Sequence, residues 1–232
     1  MDKKTAVITG ANKGLGYELS YQLSLMNWNV IMVGRREKEL QAAAERLSSE
    51  GGSVYPLTMD LGDDQSIAHG FEKLNHMLSH IDVLVNNAAI LEDRGSQLLH
   101  VDLALMNKMI NVNFFGALKM IRSCAHLMSE GGRIINFSSG AGSFGEGGSM
   151  WAPVYGITKT MLNSLTFHLA PELQPRGISI NALCPGWVKT EMGGPEAPRS
   201  VEEGVQTALW LATEAPITYT GKFFRDREEI PW

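Results

Sequence analysis

A tyrosine and a lysine stand four residues apart in the stretch PVYGITKTM, whose pattern is helical. Residues at this spacing lie on the same side of a helix, so the Lys159 ammonium would stand near the Tyr155 phenol. A nearby cation favours the phenolate and lowers a phenol pKa that starts near about 10. Such a phenol can protonate a carbonyl oxygen or take a proton from an alcohol. Tyrosine–lysine pairs are also common on solvated helix faces.

Further polar residues follow predicted strands. Ser138 and Ser139 come directly after INF, and a hydroxyl there can bond the same substrate oxygen as Tyr155. The stretch NNAA, residues 86–89, follows another strand. Asn113 lies inside a predicted long helix, where an amide is a moderate helix former, so a plain surface or packing contact is the alternative.

The stretch TGANKGLG, Thr9 to Gly16, lies between a predicted strand and a predicted helix. Gly10 would allow the turn, Gly14 would let the backbone approach a pyrophosphate, and Gly16 would permit close helix–strand packing. The helix N-terminus then offers free N–H groups and a positive dipole end to phosphates. The alternative is an ordinary strand-to-helix connection, but the strand before and the helix after favour dinucleotide binding.

The end of the second strand, MVGRRE, indicates which dinucleotide is bound. An acidic side chain would hold an NAD ribose there, and no carboxylate occupies that position. Arg35, together with Lys13 of the glycine loop, would instead clamp a 2′-phosphate through charge-assisted hydrogen bonds. Arg36 either shares this role or faces water. This pattern predicts NADP(H), with two solvated loop cations as the alternative.

These residues need a scaffold, and the hydrophobic pattern predicts one. Short apolar runs alternate with helical patterns, which favours a parallel sheet covered by helices on both faces. Strands are predicted at 4–9, 29–34, 53–58, 81–86, 132–138 and 178–183, with a weaker seventh at 221–224. Helices are predicted at 15–27, 37–50, 64–79, 103–128, 153–174 and 201–213. The expected fold is α/β: a Rossmann-like, doubly wound sheet in a single domain over residues 1–232.

Composition excludes several classes of protein. With 232 residues, a net charge of −5 and no basic block, the chain is not expected to bind nucleic acid. No apolar run approaches the ~20 residues of a membrane span, and no signal peptide is recognisable, which favours the cytoplasm. Two cysteines suggest neither a disulfide framework nor zinc. The pair His76 and His80 lacks the adjacent glutamate of a zinc protease, so no metal is expected.

Aromatic and methionine residues near the expected site suggest an apolar substrate pocket for a ketone, aldehyde or quinone-like carbonyl. The candidates are Phe144, Met150, Trp151, Trp187 and Met192. Plain packing is the alternative for each of them. The loop at about 187–203, rich in glycine and proline between Thr190 and Ser200, is a candidate lid or a passive surface loop.

Together, TGxxxGxG, NNA, NVN, Ser139, YxxxK and a Pro-Gly turn resemble the short-chain dehydrogenase/reductase superfamily from about residue 4 to the C-terminus. The resemblance implies that Tyr155 is the acid/base and that Lys159 lowers its pKa and binds the nicotinamide ribose. It also implies that Ser139 polarises the carbonyl and that Asn113 holds a water in a proton relay. The implied cofactor contacts are Gly10, Asn12, Lys13, Gly14, Leu15, Gly16, Arg35, Arg36, Asp60, Leu61, Asn86, Ala88, Tyr155, Lys159, Pro185, Gly186, Val188 and Thr190.

Within the superfamily, GANKGLG with GRR is similar to the NADPH-preferring carbonyl reductases. NNAA departs from the usual NNAG, a change we expect to be tolerated. Monomeric carbonyl reductases carry an insertion before the catalytic tyrosine that this chain lacks, so a homodimer or homotetramer is expected. The alternatives are a non-catalytic dinucleotide-binding sensor, and a 3-oxoacyl-thioester, steroid or polyol dehydrogenase.

Overall fold

The computed structural model describes residues 3–232 and contains one eight-stranded sheet in the order β3-β2-β1-β4-β5-β6-β7-β8. Its strands are β1 Thr5–Thr9, β2 Asn29–Gly34, β3 Ser53–Thr58, β4 Val83–Asn86, β5 Arg133–Phe137, β6 Ser179–Leu183, β7 Lys222–Arg225 and β8 Glu228–Glu229. All neighbours are parallel except β7 and β8. The strand order reverses beside β1, where β4 lies on the side opposite β2, and this switch point creates a crevice for a ligand.

The α-helices are α1 Gly14–Leu25, α2 Glu37–Ser49, α3 Asp64–Met77, α4 Leu103–Ile110, α5 Gly116–Cys124, α6 Pro153–Leu173, α7 Val201–Gly204 and α8 Gln206–Thr213. They cover both faces of the sheet, so alternate strand residues enter different cores. Ala6 and Ile8 pack with α1, α2 and α8, whereas Val7 packs with α3, α5 and α6. The predicted doubly wound α/β architecture is therefore confirmed.

Two predicted helices are divided. The helix expected at 103–128 contains a π-helical segment at Asn111–Phe115, between α4 and α5, and ends in a short 3-10 turn. The helix expected at 201–213 breaks at Val205 into α7 and α8. Such π segments are often found at functional sites, and Asn113 lies at the middle of this one.

The two edges of the sheet compare differently with the expectation: β3 matches its predicted range, whereas β8 was not predicted. Strand β3 is an edge strand, which accommodates Pro56 because its missing N–H is not needed by a second neighbour. Strand β8 was not predicted because the turn before it places Asp226 and Arg227, rather than glycine, at positive φ. Among the described helices, none combines the length and the apolar character that crossing a bilayer requires.

Candidate active site

A cleft of about 1700 Å³ opens beyond the carboxyl ends of the strands. Most residues singled out from the sequence line it, and they arrive from loops far apart in the chain. The predicted residues that line it are Gly10, Asn12, Lys13, Gly14, Leu15, Arg35, Arg36, Asp60, Leu61, Ala88, Ser139, Trp151, Tyr155, Lys159, Pro185, Gly186, Trp187, Val188, Thr190 and Met192. Five predicted residues do not line it: Gly16, Asn86, Asn113, Phe144 and Met150.

The glycine loop forms a cradle that stays open because its glycines have no side chains. Gly10 has φ +66°, and a Cβ there would lie 2.9 Å from Ala88 Cα. Gly14 has φ +57°, a backbone conformation that favours glycine. A Cβ at Gly16 would lie 2.4 Å from the Gly10 carbonyl oxygen, so this glycine serves helix–strand packing as predicted rather than ligand contact. The N-cap residue Lys13 makes no side-chain cap, which leaves the first N–H groups of α1 for a phosphate.

Asn86 is not a cleft residue, and the next asparagine takes its place. The Asn86 amide is buried in the sheet and donates to Asn136 Oδ1 at 2.9 Å. Asn87 lines the cleft, and its amide donates to the carbonyl oxygens of Thr9 and Gly10. Side chains alternate along a strand, so adjacent asparagines cannot both point into the same space. The stretch NNAA contains both asparagines, but the sequence alone does not show which of the two side chains faces the cleft.

The cations expected at the 2′-phosphate are already engaged by carboxylates, with one exception. Lys13 pairs with Glu191 of the 187–203 loop. Arg36 pairs with Glu39 at 2.9 Å, and Glu39 also accepts from the Asn12 amide at 3.0 Å. Arg35 lines the cleft and has no carboxylate partner among residues 3–232. Its guanidinium is therefore available to an anionic ligand.

Two further strand ends shape the cradle. Asp60 and Leu61 follow β3, and the Asp60 carboxylate accepts from the Gly62 N–H at 2.9 Å, which fixes this turn. After β6, Gly186 has φ +78° and Val188 forms an isolated parallel bridge with Arg199. These contacts hold backbone of the cofactor side in place before any ligand binds.

Ser139 and Tyr155 meet at the centre of the cleft. Ser139 follows β5 and lines the cleft beside Tyr155, where its hydroxyl acts to lower the pKa of the phenol. Its hydroxyl also accepts from the Ala141 N–H at 3.1 Å, which fixes the side chain. The neighbouring Ser138 instead donates to Lys159 O at 3.4 Å and is buried, so its role is in packing. Only Ser139 is therefore placed to polarise a carbonyl beside the phenol.

The expected direction of the Tyr155 pKa shift is wrong. Burial raises the pKa of Tyr155 well above its ordinary value, the charge of Cys184 raises it further, and the hydrogen bond with Ser139 lowers it. The Lys159 Nζ donates to the Phe137 carbonyl at 2.6 Å and lies 5.5 Å from the centre of the tyrosine ring, and its charge favours the phenolate less than burial disfavours it. Burial also lowers the pKa of Lys159, to about 8. In this state the phenol is a proton donor.

Protein groups already engage the Asn113 side-chain amide. Its Nδ2 donates to Ile90 O at 2.9 Å and to Thr158 Oγ1 at 3.0 Å, which uses both amide hydrogens. Its Oδ1 accepts from Ile90 N at 2.8 Å. The residue is 1% exposed and ties the loop after β4 to α6, the helix of Tyr155. The side chain therefore acts as a clamp, and the assignment of a relay water to Asn113 stays a prediction.

Sequence reasoning missed a buried carboxylate that caps α6. Asp93 is fully buried, and its Oδ2 accepts from the N–H groups of Val154 at 2.6 Å and Tyr155 at 3.2 Å. A carboxylate at a helix N-terminus satisfies free N–H groups and complements the helix dipole. Asp93 is 62 residues from Tyr155 in the sequence, so no local capping pattern could have revealed it.

The substrate end of the cleft is formed by half-exposed side chains. Trp151 lines it and lies under the Arg94 guanidinium, 5.6 Å from the ring centre. Arg94 also donates to the carbonyl of Met192. Trp187 lines the cleft with its Nε1 donating to Gly193 O at 2.7 Å. These three predicted pocket residues thus come together across the cleft mouth.

Phe144 and Met150 do not belong to this pocket. Both lie on the loop between β5 and α6, where their side chains are 82% and 91% exposed, and neither lines the cleft. Their loop folds against the C-terminal residues instead, since Gly145 N donates to Trp232 O at 2.9 Å. Aromatic and methionine content alone therefore misled the prediction.

The histidines stand apart from the cleft. His76 contacts the Glu72 carbonyl of its own helix, and His80 lies near Asp82. Within residues 3–232, no three His, Cys, Asp or Glu side chains are grouped so as to hold a metal ion.

Comparison with known proteins identifies the family. The family model described as short chain dehydrogenase matches residues 4–200. This chain belongs to the short-chain dehydrogenase family. It is 30% identical to carbonyl reductase (NADPH) 1 of Mus musculus, over 99% of both chains. It is 31% identical to the 3-oxoacyl-(acyl-carrier-protein) reductase FabG of Aquifex aeolicus, over 82% of this chain and 75% of the other.

Solved structures of the family share the fold. A dehydrogenase/reductase from Sinorhizobium meliloti 1021 superposes with a TM-score of 0.87 at 25% identity, covering 97% of this chain and 93% of the other. The angucycline C-6 ketoreductase LanV with bound NADP superposes with a TM-score of 0.86 at 25% identity, covering 95% and 93%. The short-chain dehydrogenase therefore has the architecture expected for its family.

Proposed function

We propose that this short-chain dehydrogenase is an NADP(H)-dependent reductase of ketones or aldehydes. The observation that supports this most is the placement of Ser139, Tyr155 and Lys159 on one wall of the cleft whose other wall is the glycine cradle. A non-catalytic sensor has no need for a buried phenol beside a serine hydroxyl. The mouse and ketoreductase relatives, one named for NADPH and one holding NADP, support the same cofactor and reaction class.

The residues that would hold the cofactor fit it. Gly10 and Gly14 provide a surface without side chains, and the uncapped start of α1 faces the pyrophosphate region. Arg35 supplies a free guanidinium for the 2′-phosphate. Asp60, Leu61 and the backbone near Val188 border the remainder of the cleft. When bound, the nicotinamide supplies the hydride.

The protein supplies position and a proton. The Ser139 hydroxyl holds the substrate carbonyl oxygen next to the Tyr155 phenol, and the phenol donates its proton to that oxygen as charge develops on it. Burial keeps the pKa of Tyr155 high, so the phenol carries its proton at neutral pH. The Lys159 ammonium, held by the Phe137 carbonyl, electrostatically favours the Tyr155 phenolate that this transfer leaves.

The proposal extends to organisation and location. We place one catalytic domain over residues 1–232, the substrate loop at about 187–203, and the enzyme in the cytoplasm as a homodimer or homotetramer. Exposed apolar side chains on and beside α4, α5 and α6 support self-association: Leu99, Leu103, Phe115 and Phe167 are 93%, 70%, 43% and 55% exposed. The alignment with the mouse carbonyl reductase extends over 278 positions, so that relative contains residues that this chain lacks.

The test is NADPH oxidation over a panel of aldehydes, aromatic ketones, quinones, steroids, polyol-derived ketones and 3-oxoacyl thioesters. We expect turnover of simple or aromatic carbonyl compounds. Turnover confined to 3-oxoacyl thioesters, as the FabG relative's name would suggest, would move the enzyme to that reaction. Tight NADPH binding without turnover of any member would favour the sensor and overturn the proposal.

A further inference from the structure

An ion pair joins the Thr190–Gly194 turn to the glycine loop. The cofactor contacts assigned above give no role to its carboxylate. Glu191 projects from this turn with its side chain 76% exposed and pairs with Lys13. The hydrogen bond and the charge of Lys13 hold the pKa of Glu191 below its ordinary value, and the charge of Arg36 lowers it further. The Glu191 carboxylate is therefore already paired with the Lys13 ammonium, which the sequence assigns to a 2′-phosphate.

The turn is held together by its own hydrogen bonds. Gly194 N donates to Thr190 O at 2.8 Å, and Gly193 N donates to Thr190 Oγ1 at 2.9 Å. Its links to the two walls of the cleft are made by side chains: Glu191 to Lys13 on the glycine-loop side, and Arg94 to the Met192 carbonyl on the substrate side. The turn thus spans the cleft between cofactor and substrate regions.

The turn and the glycine loop lie close together, since a Cβ built at Gly14 would lie 3.4 Å from the Thr190 side-chain atom Cγ2. A phosphate group bound by Lys13 therefore enters a space next to Glu191 and brings like charge against it. The Glu191 carboxylate and the phosphate would therefore compete for the Lys13 ammonium.

We propose that Glu191 competes with the 2′-phosphate of NADP(H) for Lys13, so that phosphate binding detaches the Thr190–Gly194 turn from the glycine loop. This rests on the proposed NADP(H) function. NAD(H) lacks the phosphate and leaves the pair intact, so Glu191 makes loop release specific to the phosphorylated cofactor. Because the pair is exposed, its effect on affinity is small and tunable rather than absolute.

The first test measures dissociation constants of NADPH and NADH by calorimetry for the wild type, Glu191→Gln and Glu196→Gln. Glu196 lies exposed on the same loop and does not line the cleft, so its variant controls for the change in net charge. We expect Glu191→Gln to tighten NADPH binding about two- to fivefold and leave NADH unchanged. Equal changes for both cofactors, or an equal effect of Glu196→Gln, would overturn the competition.

The second test follows release of the turn without turnover. Lys189 is exposed next to the turn, so trypsin cleavage after it, identified by mass spectrometry, reports detachment. Adenosine 2′,5′-bisphosphate should accelerate this cleavage in the wild type, whereas 5′-AMP should not, and Glu191→Gln should be cleaved rapidly without ligand. Identical cleavage rates in all these states would overturn the proposal.

The results of these tests distinguish failure of the Glu191 proposal from failure of the proposed NADP(H)-dependent function. Failure of the wild type to bind NADPH more tightly than NADH would overturn the proposed cofactor and the inference together. Tight NADPH binding with no special effect of Glu191→Gln would overturn the inference alone.

Discussion

The cofactor end of the cleft is built from backbone and buried side chains, whereas the substrate end is built from half-exposed side chains on loops. Gly10 and Gly14 act through positive φ and missing Cβ atoms, and Asn87 secures the strand end behind them. Trp151 and Trp187, by contrast, are 52% and 56% exposed. Close packing fixes the first region, while the second keeps freedom to adapt to a substrate.

Between these ends lies the rigid centre of the site. Tyr155 and Lys159 are 8% and 2% exposed, and α6 is fixed at its start by Asp93 and at its side by Asn113. The reacting groups thus share the construction of the cofactor end. We therefore expect large effects from changes at the centre, specific effects at the cofactor end, and small effects at the substrate end.

The largest expected effect follows from removing the phenol. Tyr155→Phe should lower kcat about 10²- to 10⁴-fold, because the developing alkoxide loses its proton donor. Cofactor affinity should change little, since the ring remains. Steady-state kinetics with NADPH titration by fluorescence checks both statements. Tyr55→Phe, on the edge strand and away from the cleft, is the matched control; a largely active Tyr155 variant would remove the acid role.

The next effect tests the specificity of the cofactor end. Arg35→Asp should raise the KM for NADPH about 10- to 100-fold, because charge-assisted hydrogen bonds to the 2′-phosphate are replaced by repulsion. The KM for NADH should hardly move. The exposed Arg122→Asp on α5, outside the cleft, controls for the charge reversal. If both cofactors are affected equally, Arg35 does not bind the 2′-phosphate.

The different construction of the two ends also explains what the sequence could predict. Glycine spacing, strand ends and helix starts are local signals, and they located Gly10, Gly14, Ser139 and Tyr155 at one cleft. The strand positions at 29–34 and 53–58 agree with the structure for the same reason. Short apolar runs are typical of strands that helices cover on both faces, as in β2.

Sequence analysis missed the features of the site that depend on contacts between residues far apart in the chain. Asp93 caps a helix 61 residues away, and Lys159 bonds to the end of another strand, so neither partner is visible in the local sequence. The pKa direction of Tyr155 follows from burial rather than from the spacing of its lysine. The assignment of Phe144 to the substrate pocket was wrong because the conformation of the loop, which the local sequence does not specify, decides where its ring points.

The third prediction probes the centre through pH. Burial lowers the pKa of Lys159 to about 8, while the pKa of Tyr155 is raised, so the phenol stays protonated and the lysine loses its charge first. The kcat/KM for carbonyl reduction should therefore fall as pH rises above about 8, approaching tenfold per pH unit. Lys159→Arg keeps its charge at these pH values, so its lower activity should stay level. A flat wild-type profile from about pH 7 to 9.5 would show that the ammonium is dispensable.

The smallest expected effect distinguishes two aromatic residues of the same loop. Trp151→Ala should raise the KM for an aromatic ketone about two- to tenfold, because a half-buried ring in the cleft contributes stacking. Phe144→Ala should leave kinetics unchanged, since that ring lies outside the cleft and is 82% exposed. The pair is matched in chemistry and differs in placement. Equal effects of the two substitutions would mean that the loop closes over the substrate with Phe144 inside, and that the substrate end is reshaped when it binds.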